Sequence, residues 1–230
     1  FFIPTCILEE KLPANPTIIH YTIAVFGIEK FLKEFRESLV NNKLDSKLFD
    51  LQYSKSKDNL GETISRIKST FKYKLGYYDS RKILLDIYKN LFSSEYKNML
   101  STIHLTESQI REMLEMGHHV GTHTYSHISV AATELNSDDF IKEIISPKNY
   151  LEQKFNTKVN SFSYPFGGKN DCLSSSELIK KTSEYNLAFT VEEILNTRNT
   201  SPYQLGRYQI NSSDTSFKLN SIIQNISKKN

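Results

Sequence analysis

Five of the six histidines of the chain lie between residues 104 and 127, and the pair His123 and His127 is the clearest candidate for chemistry. The two are four residues apart, directly after a predicted strand. Histidine is the commonest protein ligand of metal ions, so both rings can reach one ion if the chain bends after His123. Isolated pairs of this kind are more often surface or core histidines. The position after a strand, where α/β barrels carry functional loops, and the neighbouring Gly121 favour a metal site.

A second pattern is the run Ser-Phe-Ser-Tyr-Pro-Phe-Gly-Gly at residues 161–168. It reads as a strand that enters a stiff turn. Phe166 keeps its backbone N–H while Pro165 fixes the approach, so this turn could present an N–H group to an active site. Taken alone, the same pattern is typical of a structural turn at a strand end.

The elements that must position these residues alternate between strand and helix after Met99. Thr106 and Gln109 form a capping box that opens a helix, and Gly117 stands where a C-terminal glycine belongs. Asn136 or Ser137 caps the next helix, which Pro147 kinks or restarts. Further strands are predicted at 118–123, 159–164, 187–191 and 205–210, and a helix at 175–186. This alternation predicts a parallel sheet or barrel.

The preceding region, about 17–98, reads instead as successive amphipathic helices. The whole chain has 230 residues, 38% of them hydrophobic, which is enough for a substantial core. Its 29 basic and 26 acidic residues are spread along the chain, so charge gives no argument for nucleic acid or membrane binding. No apolar run is long enough to span a bilayer. Cys6 and Cys172 are expected to be free thiols.

Three segments together resemble consecutive landmarks of one family. Residues 1–5, 116–127 and 161–167 are similar to motifs of the polysaccharide deacetylases, the NodB-homology or family 4 carbohydrate esterases. The resemblance covers residues 1–10 and about 100–212. It implies an α/β fold, a distorted, incomplete (β/α) barrel of the polysaccharide deacetylase type with a helical insertion. The expected division is a barrel formed by 1–10 and 100–218, an insertion at 11–99, and a tail at 219–230.

The resemblance also implies an activity. Members are hydrolases of non-peptide carbon–nitrogen bonds that remove N- or O-acetyl groups from a polysaccharide or glycan, by attack of a water bound to a divalent metal, often zinc. Carried over by position, His123 and His127 are metal ligands and the N–H of Phe166 is the oxyanion donor. Tyr125, Tyr164, Pro165 and Phe166 are expected to contact substrate. Neither a nucleic acid partner nor a membrane span is expected.

The match is incomplete in three places. The family's aspartate pair, which supplies the third ligand and the base, lies upstream of the landmark that here begins at Phe1. We therefore expect an amino-terminally truncated chain that has little or no activity as given, and an intact protein that is active. Ser163 stands where the family has an arginine, and Arg207 is the candidate to replace it. No histidine follows His127 to protonate the leaving group. His104 and His119 are weaker candidates for that acid.

Two alternatives remain open. A non-catalytic carbohydrate-binding protein of the same fold would need neither the arginine nor the final histidine. A helical interaction scaffold would make 17–98 its main feature and would expose a large apolar face there. The location of the protein, cytoplasm or cell envelope, stays open. A leader or anchor would lie in the residues that we expect before Phe1.

Overall fold

The computed structural model describes residues 1–45, 49, 51, 60–208, 216, 220, 221 and 224. The end of the last predicted strand, at 209–210, and most of the predicted tail lie outside this part. Within the described part, no helix combines the length and apolar composition that crossing a membrane requires.

The described sheet has four parallel strands in the order β1-β2-β3-β4. They are β1 Phe2–Ile3, β2 Gly121–Thr122, β3 Ser161–Ser163 and β4 Leu187–Phe189. Phe2 pairs with Gly121, Thr122 with Phe162, and Phe162 with Ala188. A parallel bridge between Phe189 and Leu205 extends this order at one edge, in place of a full strand. These strands do not close on themselves, so the predicted α/β fold with an incomplete barrel is confirmed.

Helices connect the strands of this barrel. They are α1 Cys6–Glu9, α6 Leu100–Ile103, α7 Glu107–Glu115, α8 Ser137–Phe140, a π-helical turn Ile141–Ile145, α9 Ser146–Phe155 and α10 Lys169–Thr182. The capping box of Thr106 and Gln109 forms as predicted. Asn136 is the cap of α8, and Pro147 lies in the first turn of α9, so it restarts the helix.

The insertion is helical, as predicted. It contains α2 Asn15–Phe26, α3 Ile28–Asn41, α4 Leu60–Ser69, a π-helical turn Thr70–Lys74, α5 Tyr77–Phe92 and a 3-10 turn Ser93–Lys97. Gly27 separates α2 from α3 with a φ of +83°, a conformation that glycine adopts without strain. The apolar faces of α2, α3 and α5 pack on one another around Phe31, Phe35 and Tyr88.

The buried apolar residues form two clusters. One contains residues 3–14 together with 110–188, and the other contains residues 18–92. This separation supports the proposed division into a barrel and an insertion, whose domain bounds stay a prediction. Cys6 and Cys172 belong to the first cluster and are free thiols.

Candidate active site

The loop that follows β2 carries both candidate ligands and departs sharply from strand geometry. The N–H of His123 still donates to the carbonyl of Ile3, at 3.2 Å. Thr124 and His127 then adopt left-handed backbone conformations, with φ of +58° and +64°. For residues with a side chain this conformation costs about 1–2 kcal/mol each, so the loop must be held by its surroundings.

This geometry brings the two imidazoles together. Their ring centres are 4.5 Å apart and the planes are nearly perpendicular. His123 Nδ1 lies 2.7 Å from the carbonyl oxygen of Ser163. Because a carbonyl only accepts, Nδ1 carries the hydrogen and Nε2 keeps a free lone pair, as in metal sites where a histidine's second nitrogen fixes its orientation. His127 Nδ1 is buried and has no hydrogen-bond partner in the described part of the chain.

Both histidines are expected to be neutral at pH 7. Burial lowers the pKa of His123 to about 4, and the Arg207 guanidinium acts in the same direction, against the hydrogen bond to Ser163. Burial lowers the pKa of His127 to about 3, with His123 as the next cause. A neutral imidazole is the form that binds a metal ion.

The pair meets part of the requirement for a divalent metal. Two nitrogen donors face the same region, and the unpartnered His127 Nδ1 is a buried polar atom that lacks the hydrogen bond such atoms normally have. Among the described residues, however, no group of three or more His, Cys, Asp or Glu side chains could hold a metal ion. The described residues therefore offer two neighbouring imidazoles, and their assignment as metal ligands stays a prediction.

The β3 turn lies beside His127. Phe166 and Gly167 have φ of +65° and +68°, and the rings of His127 and Phe166 are 5.1 Å apart. A side chain at position 167 would come within 2.7 Å of the Val191 side chain, so this turn requires glycine. The Phe166 N–H donates to no acceptor within the described ranges. This N–H is therefore free for the oxyanion role that was predicted for it.

His127 and Phe166 line a cavity of about 650 Å³ between the barrel and the insertion. On the insertion side its wall runs along residues 71–78. Lys72 of the insertion contacts the barrel at this cavity: its Nζ lies 2.6 Å from Asp171 Oδ1 and 4.2 Å from the centre of the Phe166 ring. Ser129 donates to the same Asp171 oxygen. The sequence had assigned the insertion no site residue.

Glu143 is the second residue that the sequence analysis missed. It is fully buried, and its carboxylate accepts hydrogen bonds from the loop that carries the histidines. One sequence signal could have identified it. Glu143 follows Phe140 by three residues and lies on the apolar face of the predicted helix, where a charged side chain needs buried partners.

The remaining predicted residues lie elsewhere. Tyr125 and Tyr164 are buried in the apolar cluster of the barrel and are not among the side chains that line the cavity. The Tyr164 hydroxyl donates to the Tyr203 carbonyl. Pro165 is buried in the turn. Arg207 donates through Nε to the Thr190 carbonyl at 2.7 Å and lies over the Phe2 ring, and its predicted catalytic role is not tested by this placement.

Part of this chain is similar to known polysaccharide deacetylases. A polysaccharide deacetylase of Bacillus cereus is 24% identical over 52% of the chain, with a TM-score of 0.44, and the chain spans 36% of that protein. A deacetylase of Streptococcus pyogenes, PplD, solved in complex with acetate, is 19% identical over 83% of the chain and 85% of its own, with a TM-score of 0.45. No curated protein matches the chain in sequence. The family model described as polysaccharide deacetylase matches residues 90–182.

Proposed function

We propose that this protein is a metal-dependent deacetylase that removes N- or O-acetyl groups from a polysaccharide or glycan. One observation carries the proposal: the His123 and His127 rings lie 4.5 Å apart, and His127 contacts Phe166 where these two side chains line a cavity. The match of the polysaccharide deacetylase family model to residues 90–182 supports the hydrolase class.

The chain's own residues have separate tasks. His123 and His127 would hold a divalent cation, for which zinc is the first choice given two nitrogen donors. Once bound, such a cation lowers the pKa of water and polarises the acetyl carbonyl. The Phe166 N–H would donate to the oxygen on which negative charge develops, and its turn holds it in place before substrate arrives. The Ser163 carbonyl keeps the His123 ring in its tautomer.

The cavity mouth supports a sugar substrate. Tyr73, Tyr78 and Phe166 line the cavity and are 56%, 64% and 38% exposed, which is unusual for large aromatic side chains. Aromatic rings with a polar group suit a ligand that has both apolar faces and hydroxyls, as sugar rings do. We therefore assign these three side chains, and not Tyr125 or Tyr164, to the substrate surface.

The test is acetate release by the full natural chain, loaded with Zn²⁺ or Co²⁺, from acetylated glycans that carry either amide or ester groups. His123→Ala and His127→Ala should each lower kcat/KM by about 100-fold or more, because each removes a ligand and with it the ion's contribution. His118→Ala is the matched control, since His118 belongs to the same run but is exposed. Full activity in the two alanine variants would rule out the assignment.

A non-catalytic carbohydrate-binding protein is the second candidate. The observation that favours it is the lack of a third ligand within the described part of the chain. It predicts that the full natural chain binds glycan without releasing acetate, and that both histidine variants keep the glycan affinity of the wild type. Isothermal titration on the acetylated glycans, beside the acetate assay, separates the two candidates.

A further inference from the structure

We infer that Glu143 and Tyr77 are positioning residues, through which the helical insertion holds the histidine loop in its ligand geometry. This inference rests on the proposed function for its meaning, but its geometry is independent of metal and substrate. Glu143 lies in the π-helical turn Ile141–Ile145 of the barrel, whereas Tyr77 is the first residue of α5 in the insertion.

The backbone N–H groups of the histidine loop show how it is held. Those of Tyr125 and Ser126 donate to Glu143 Oε2, at 3.1 and 3.0 Å. Those of His127 and Ile128 donate to Thr124 Oγ1, at 2.9 and 3.2 Å. The Tyr125 N–H also donates to the Glu143 backbone carbonyl, at 3.0 Å. Four successive donors are thus satisfied by Thr124 within the loop and by Glu143 from the π-helical turn, and the Glu143 side chain is the acceptor that the Ser126 N–H uses.

The other carboxylate oxygen connects this loop to the insertion. Glu143 Oε1 accepts from the Ser126 hydroxyl and from the Tyr77 hydroxyl, each at 2.7 Å. Burial and the adjacent Glu143 carboxylate raise the pKa of Tyr77. Its phenol therefore keeps its proton at neutral pH and donates it to the carboxylate. With four such contacts the buried carboxylate has partners for both oxygens.

The contact matters because the loop is strained at the ligand itself. Thr124 and His127 occupy left-handed conformations that residues with side chains leave readily when their restraints are removed. Weakening the Glu143 contacts should let the backbone relax, and this relaxation turns the His127 ring away from His123. A purely structural Glu143 would instead change stability and leave the rings where they are.

Tyr78 provides a matched control. It is the next residue of α5, and its hydroxyl donates to Asp139 instead of Glu143. Tyr77→Phe and Tyr78→Phe therefore remove the same atom from neighbouring side chains, and only the first touches the carboxylate that holds the loop. Glu143→Gln keeps the size of the side chain but leaves one oxygen to accept where the carboxylate has two.

The experiment is proton–nitrogen NMR of the histidine rings in the full natural chain, without metal, followed by Zn²⁺ affinity by competition titration. Tyr77→Phe and Glu143→Gln should shift or double the His127 ring signals and weaken Zn²⁺ binding by about 10-fold, at the lower end for residues that orient a ligand. Tyr78→Phe should leave both readouts as in the wild type. Glu143→Gln is used only if its spectrum is that of a folded chain, and Tyr77→Phe stands alone otherwise.

Unchanged His127 signals in Tyr77→Phe overturn the inference. Equal changes in Tyr77→Phe and Tyr78→Phe also overturn it, because the effect would then come from general loosening of the insertion. A wild type that releases no acetate but shows the predicted difference between these two variants would refute the proposed function and leave the positioning role intact.

Discussion

Thr124 Oγ1 accepts from both the His127 and the Ile128 N–H groups, for which the described residues offer no other acceptor, and its side chain is fully buried. Thr124→Val keeps the shape and removes this acceptor, which leaves two N–H groups in the protein interior without a partner. We expect a loss of about 1–3 kcal/mol in the free energy of unfolding, measured by urea denaturation. Thr124→Ser, which keeps the hydroxyl, should lose clearly less. Equal losses in the two variants would show that the methyl group, and not the hydrogen bonds, carries the effect.

Among single residues, sequence reasoning could find those that belong to a short motif with a fixed spacing. His123, His127 and Phe166 belong to short motifs, and the structure brings all three to one place. Glu143 and Lys72 could not be found in this way, because their partners lie 17 and 99 residues away along the chain. Tyr125 and Tyr164 are in the motifs as well, but which way a ring points is decided by core packing, which a motif does not contain.

Strand β2 depends on a glycine for its place between β1 and β3. A side-chain carbon at Gly121 would lie 2.6 Å from both the Phe2 ring and the Ser161 hydroxyl. We expect Gly121→Ala to destabilise the protein by about 1–3 kcal/mol in thermal or urea unfolding, because the Phe2 ring and the Ser161 hydroxyl must both move to admit the methyl group. Because β2 leads directly into the histidine loop, Zn²⁺ affinity should fall as well.

Gly61→Ala is the control for this prediction. Gly61 lies in α4 with open space around it, so alanine should be neutral or stabilise by about 0.5–1 kcal/mol through helix propensity. If Gly121→Ala is as stable as Gly61→Ala, the sheet accommodates a methyl group at position 121 without loss of stability, and the prediction is wrong.

Elements with their own local signal were predicted well. The capping box at Thr106 and the glycine after α7 are examples, since both depend on residues within one turn. Strand lengths were overestimated, because β2 can pair only as far as the two residues of β1 allow. Helix α10 begins at Lys169 and not at 175, because Gly168 is already its N-terminal cap while the apolar pattern starts later.

The whole molecule is held together by polar contacts between its two apolar clusters. Arg81 of the insertion donates to the Pro13 carbonyl and forms an ion pair with Glu10 at 2.8 Å. Lys72 and Tyr77 make the corresponding contacts on the cavity side. Such long-range pairs leave no local pattern in a sequence, so the insertion's part in the site could be learned only from the structure.

His104 makes the stability of this assembly depend on pH. Its Nε2 is buried without a partner in the described ranges, and burial lowers its pKa from 6.5 to about 4. Charged side chains line the same pocket: Glu10, Lys11, Lys89, Lys97 and Glu107. Above about pH 6.5 His104 is neutral in both states and has no effect on stability. As the pH falls towards 4, His104 becomes protonated in the unfolded chain but stays neutral in the folded protein, so the free energy of unfolding decreases.

We expect His104 to account for about 2 kcal/mol of this loss between pH 7 and pH 4, less than the full shift would give because part of the ring remains solvated. The measurement is urea unfolding of wild type and His104→Gln across that range. Other buried histidines titrate in both proteins, so the difference between the two curves isolates His104. The free energy of unfolding of His104→Gln should depend less on pH than that of the wild type. The difference between the two free energies should grow in favour of the variant below about pH 6.5 and stay constant below about pH 4. Parallel curves would show that His104 is solvated well enough to titrate normally in the folded protein.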